Sequence, residues 1–161
     1  TTKGEKEVEL EDLKIAIIKA KEEYQLDGIV TGALYSSYQR NRVEKICDEL
    51  GLKIFNPLWH KNQEEEMREL IDLDFEIIFT STAADGLGKE WLNKVITIKD
   101  VDKLVSMSKT IGHNVAGEGG EFESLVLNCP LFNQSIEIVE SSIQCENEHT
   151  TRLTITNARL R

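Results

Sequence analysis

The sequence predicts an α/β chain, in which a partial parallel sheet with its helices is followed by a small β-rich α+β lobe. Three observations carry this. Up to about residue 98, segments with apolar residues three and four apart alternate with short apolar runs, the order of a parallel sheet with helical crossovers. Beyond Gly112 the period shortens to two and β-branched residues become frequent. A length of 161 residues, 40% apolar and 30% charged, suits one ordinary domain or two small lobes sharing a core.

Gly4–Tyr24 reads as a helix, because Leu10, Leu13, Ile17 and Ala20 recur at helical spacing while lysines and glutamates fill the other face. "DGIVTGAL" follows as a buried strand that ends in a tight turn at Gly32. In "YSSYQRNRVEKICDELGL" the helical period returns through Val43, Ile46, Cys47 and Leu50, and Gly51 stops it. "KIFNPLW" is a second short strand, broken by Pro57. "NQEEEMRELIDL" is a further helix, and "FEIIFTSTA" a third strand expected to extend the parallel sheet by a right-handed crossover. One more helix spans about Lys99 to Ile111. "FESLVLN", "SIEIVES" and "RLTITNARL" then read as strands of the second lobe. The expected division is 1–98 and 99–161.

Nineteen basic and twenty-nine acidic side chains leave a net charge of −10, which disfavours nucleic acid and anionic membranes as partners. No apolar run reaches the ~18–20 residues of a membrane-spanning helix, and the charged opening "TTKGEKEVELEDLK" is no signal peptide. Cys47, Cys129 and Cys145 lack metal-site spacing, so a reducing cytosol is the expected setting.

Two stretches attract chemistry. In open α/β sheets, ligands bind where strands end and helices begin, so the turn after "DGIVTG" is a candidate. Gly32 permits close backbone approach there. Ser36 and Ser37 either cap the next helix or donate to an oxyanion, and Arg40 and Arg42 either meet a phosphate or lie on the surface. No P-loop pattern is present. The second stretch is "AGEGGEFES", residues 116–124, with three glutamates and three glycines. If "EFESLVL" is a strand, Glu121 and Glu123 share a face about 7 Å apart. A bend at Gly119 and Gly120 then brings Glu118 toward them. Such a trio either holds a cation or acts as a general base, or else faces water as a polar hairpin. His113 lies close by without a readable partner, and Trp59 and Trp91 either pack inside or wall a ligand.

Taken together, "DGIVTGALYSSYQRNRVEKICDELGL", "NPLW", "ADGL" and "GHNVAGEGGEFESLVLNCPLF" resemble the diphthine–ammonia ligase family of N-type ATP pyrophosphatases. The similarity runs from about Gly4 to beyond Phe132 in the family's order. It implies a HUP-like adenine-nucleotide lobe, a lobe carrying the EGGE motif, and a cytoplasmic enzyme using ATP and Mg2+. The implied reaction is amidation of diphthine on translation elongation factor 2 by ammonia, giving diphthamide, AMP and pyrophosphate. By motif, Gly32, Ala33, Leu34, Ser36, Ser37, Gln39 and Arg42 would border the nucleotide. Glu118, Glu121 and Glu123 would be the catalytic, cation-facing acids. Gly119, Gly120, Trp59 and Trp91 would meet the acceptor substrate.

The sequence also departs from the family. The family's opening strand and SGGKDS loop are absent, and "TTKGEKEVE" resembles the loop after its third strand. Ser124, Asn128 and Asn93 replace the usual threonine, aspartate and glycine. The expectation is therefore a fragment, inactive alone and prone to pair through an open sheet edge as a homodimer. The alternatives are a non-catalytic remnant that binds a protein through the EGGE lobe, and a magnesium-dependent hydrolase.

Overall fold

The computed structural model describes residues 8–161, which fall into two compact units, one ending at His60 and the other beginning at Lys61. The segment 4–7 of the first expected helix, and the "TTKGEKE" part of the opening loop, lie outside the described residues.

The first unit contains α1 (Val8–Tyr24), β1 (Gly28–Val30), α2 (Ser37–Leu50) and β2 (Lys53–Phe55). β1 and β2 pair in parallel, with Ile29 opposite Ile54. Because side chains alternate along a strand, this Ile pair faces one side. It packs there on a core of Ile17, Ile46, Cys47 and Leu52. Val30 and Phe55, paired in the same register, are 70% and 64% exposed on the other side. Of the expected stripe on α1, Ile17 is buried and Leu13 is exposed. Ser36 caps α2, its Oγ accepting the Gln39 N–H at 3.3 Å, and Gly51 ends the helix.

The second unit contains α3 (Gln63–Asp72), β3 (Glu76–Ala83), a 3-10 turn (Lys89–Trp91), α4 (Ile98–Ile111), β4 (Phe122–Asn128), β5 (Ile136–Cys145) and β6 (Thr150–Leu160). Asn62 caps α3 by accepting the Glu64 and Glu65 amides. A capping box joins Thr97 and Asp100 at the start of α4. The sheet order is β4-β3-β6-β5. β3 therefore does not extend the parallel sheet. It runs antiparallel to β4, with Ile78 opposite Leu125, and to β6, with Thr82 opposite Thr151. Parallel strands are commonly buried on both faces, but a short apolar run fits any strand covered on both sides, and β3 is one such antiparallel strand, so "EIIFTSTA" carries no sign of direction. The same pairing moves the division from the expected 98/99 to 60/61, since β3 draws α3 and α4 into the β-rich unit. The α/β class itself holds, with a parallel sheet in one unit and an antiparallel sheet in the other.

Phe79 lies at the centre of this second core. It is fully buried and stacks on Phe122 at 3.8 Å between ring centroids, with Trp91 on it at 6.1 Å. Among the described residues, no helix is long and apolar enough to cross a membrane. Phe79→Ala should cost about 3–5 kcal/mol by removing buried area and leaving a cavity. Urea unfolding checks this, and a loss below ~1 kcal/mol would show that the ring stack is not the centre of the core.

Candidate functional site

The EGGE segment is a loop of two successive turns between α4 and β4. The Gly117 amide donates to the Asn114 carbonyl at 3.1 Å, and the Gly120 amide to the Gly117 carbonyl at 2.9 Å. Gly117 and Gly120 have φ of 77° and 83°, in the left-handed region that glycine enters without penalty. At Gly117 a β-carbon would also come within 2.9 Å of the Phe122 ring, and at Gly119 within 2.6 Å of the Glu121 carboxylate. The glycines thus allow both the turn and the close approach of its contents.

Glu121 holds the loop closed. It precedes β4 rather than belonging to it, and it is buried. Its Oε1 accepts the Asn114 backbone amide at 2.7 Å and the Asn114 Nδ2 at 2.9 Å. Its Oε2 accepts the Gly119 amide at 2.8 Å. Its own carbonyl accepts the Ala83 amide at 2.8 Å, tying the loop to the end of β3. Burial disfavours the charge, but the donors of Asn114 and Gly119 outweigh it and hold the carboxyl below its usual range.

The expected convergence of three carboxylates is therefore not formed. Glu121 turns inward because the loop amides are its partners, while Glu118 and Glu123 are exposed. Gly119 and Gly120 lie on the exposed turn beside Glu118. Trp91 is no ligand wall either: it is buried against Phe79, with Lys94 Nζ 4.6 Å from its ring. His113 is half-buried with Nδ1 unpartnered, and it borders a cavity of about 270 Å³ with Asn62, Gln63, Ser108 and Lys109.

Two residues that the sequence did not single out complete this side. Gln63 on α3 accepts the Ala116 amide at 2.9 Å through Oε1 and donates to Asn114 Oδ1 at 3.2 Å. Glu66, one turn on, is buried as well. The readable signal was polar residues at 63 and 66, in line with Leu70 at helical spacing, where an apolar stripe would run.

In the first unit, the turn after β1 borders a cavity of about 360 Å³ lined by Thr31, Gly32, Ala33, Gln39, Arg40 and Val43. A β-carbon on Gly32 would meet nothing within 4 Å. Ser36 is the cap of α2 and Ser37 its first residue. Leu34 is buried, and its carbonyl accepts the His60 amide at 2.9 Å, so its side chain belongs to the core. Arg42 turns back along its helix, with Nη1 donating to the Tyr38 carbonyl at 3.2 Å. Arg40 pairs with Glu44 at 2.7 Å and lies 4.7 Å from the Trp59 ring. Trp59 stacks on His60, and His60 on Tyr35, at 4.7 and 5.2 Å. Its ring is thus engaged by Arg40 and His60 rather than open as a substrate wall.

Residues 1–54 match the family model described as the diphthamide synthase N-terminal domain, and residues 62–159 match the diphthamide synthase C-terminal domain. The chain is 41% identical over 135 residues to a human protein named diphthine–ammonia ligase, covering 83% of this chain and 50% of that protein. The mouse protein of that name is 40% identical over 135 residues, with the same coverage. The Saccharomyces cerevisiae one is 30% identical over 147 residues, covering 81% of this chain and 21% of the relative. The chain thus spans about half the length of the mammalian relatives it matches.

Because its folded pKa lies below the unfolded value of about 4.3, Glu121 contributes stability above that pH, and the contribution is lost as pH falls through the folded pKa. Glu121→Gln should destabilise the second unit by about 1.5–3 kcal/mol at pH 7. It should also flatten the acid limb of stability against pH. Thermal melts between pH 3 and 7 test this, and parallel profiles for wild type and variant would contradict it.

Proposed function

The chain belongs to the diphthine–ammonia ligase family, and from that premise we propose that it forms part of a cytoplasmic enzyme that amidates diphthine on translation elongation factor 2. The observation that carries this reading is the closed EGGE loop. Glu121 holds the turn, and Glu118 is exposed on it. Diphthine brings a quaternary ammonium and a carboxylate, and ammonium brings a second cation. An exposed carboxylate on a rigid turn offsets such charge without reorganising when the substrate arrives. Glu123, exposed at the start of β4 beside Ser81, adds a second negative charge to the same stretch.

The nucleotide falls to the first unit. The backbone at Gly32 is bare, the first turn of α2 presents its positive end, and Gln39 and Arg40 line the cavity. These features fit an adenine nucleotide, with Gly32, Ala33 and Gln39 at its border. ATP supplies activation of the diphthine carboxyl and leaves as AMP and pyrophosphate. Among the described residues no group of three or more His, Cys, Asp or Glu is gathered to hold a metal ion. Magnesium is therefore assigned no ligand here, and no step runs through it.

The test is amidation by the protein encoded by the whole reading frame that contains Thr1–Arg161. Mass spectrometry of elongation factor 2 should show diphthine converted to diphthamide, with AMP formed in step. AMP formation that ignores the diphthine-bearing substrate would overturn the reading. Two variants separate the roles. Gly32→Val projects a side chain into open space, so it should abolish nucleotide binding while the melting temperature stays unchanged. Glu118→Gln should lower amidation about ten- to hundredfold with ATP affinity retained, the scale of a lost charge-assisted contact. Equal losses of both activities in Glu118→Gln would remove its assignment.

A further inference from the structure

Residues three apart are neighbours on a helix surface, so Gln63 and Glu66 share a face of α3. Gln63 is bonded to the 113–121 loop through Ala116 and Asn114. The charges that act on Glu66 are those of Lys61, of Glu118 on the same loop, and of Glu69. The residue is 9% exposed, and its Oε2 is buried with no hydrogen-bond partner. Lys61 does not fill that need, because its ammonium pairs with Glu69. Burial pushes the Glu66 carboxyl above its usual range; Lys61 opposes this, and Glu118 and Glu69 add to it.

An unpaired buried carboxylate oxygen is costly, and a leucine here would avoid the penalty. The position instead offers an acceptor that a donor from outside the protein can satisfy. A quaternary ammonium has no N–H and cannot be that donor. A divalent metal requires more oxygen ligands than are gathered here. Ammonium carries four N–H donors and one positive charge in a volume close to that of water.

We propose that Glu66 and Glu118 receive an ammonium ion at the 113–121 loop, with Glu66 Oε2 accepting one of its N–H groups. The consequence for catalysis rests on the ligase reading: Glu66 takes a proton, the N–H electron pair stays on nitrogen, and neutral ammonia and a neutral carboxyl result. The ammonia lone pair is then free to attack the activated carboxyl carbon of diphthine. Glu118 provides the second negative charge that draws the cation in, which divides the work among the acids. Glu121 shapes the loop, Glu118 attracts, and Glu66 accepts the proton.

The experiment is a titration of the full 161-residue chain with 15N-labelled ammonium chloride. The amides of Asn114, Ala116, Gly119 and Gly120 are followed by NMR. Potassium chloride and tetramethylammonium chloride at equal ionic strength serve as controls. Saturable shifts at the loop with ammonium alone are expected, with affinity reduced about tenfold in Glu66→Gln, as for one lost charge-assisted hydrogen bond. Glu118→Gln, altered at an exposed position, should weaken the same shifts. Equal shifts with potassium, or an ammonium affinity unmoved in either variant, would overturn the site. Ammonium binding in a protein that makes no diphthamide would leave the site standing and remove the ligase reading. A ligase whose KM for ammonium ignores Glu66→Gln would do the reverse.

Discussion

The second unit depends on a single carboxylate taking up the donors of a glycine-rich turn. Three glycines within four residues of the Glu121 position give a chain with many accessible conformations, each of which must be surrendered on folding. The bonds from Asn114 and Gly119 to Glu121 select one of them. The same loop is then fastened to α3 through Gln63 and to β3 through Ala83, so its shape is shared with the core rather than left to the surface. A charge used in this way cannot also serve a substrate. The cluster of acids that stands out in the sequence is therefore a division of labour, one member structural and the others outward.

The two units meet the chemistry with different architectures. In the first, a parallel pair of strands is covered on one side by α1 and α2, and the cavity opens at the carboxyl end of β1. In the second, an antiparallel sheet centred on β3 anchors a loop built for charge. Each follows from local rules. Parallel strands leave their chemistry to the turns that enter helices. Antiparallel sheets free their hairpins and flanking loops to carry polar groups.

The helices were legible because their apolar spacing is regular: Val43, Ile46, Cys47 and Leu50 mark the buried side of α2 directly. The strands of the second unit were legible from alternation and β-branching. What sequence could not convey was partnership. "EIIFTSTA" states that β3 is buried on both faces and says nothing of the direction of its neighbours. The glutamates of the EGGE segment were visible as charges, but Glu121 starts one residue before the ladder. Its orientation is set by amides seven and two residues upstream, which no strand period describes. Trp91 posed the same problem, since an aromatic reads alike whether it faces a ligand or Phe79. Glu66 was hidden among other glutamates, and only its burial separates it from its solvated neighbours.

Gly117 touches more than its own turn. A β-carbon there would press on the Phe122 ring, Phe122 lies flat on Phe79, and Phe79 meets Trp91. Four positions between residues 79 and 122 thus behave as one inherited unit. Enlarging the first demands a smaller ring at the second, which opens a hole against the third. Drift through this part of the protein must proceed by paired changes or not at all, so divergence among descendants of this chain should accumulate on β5 and β6 long before it reaches the turn.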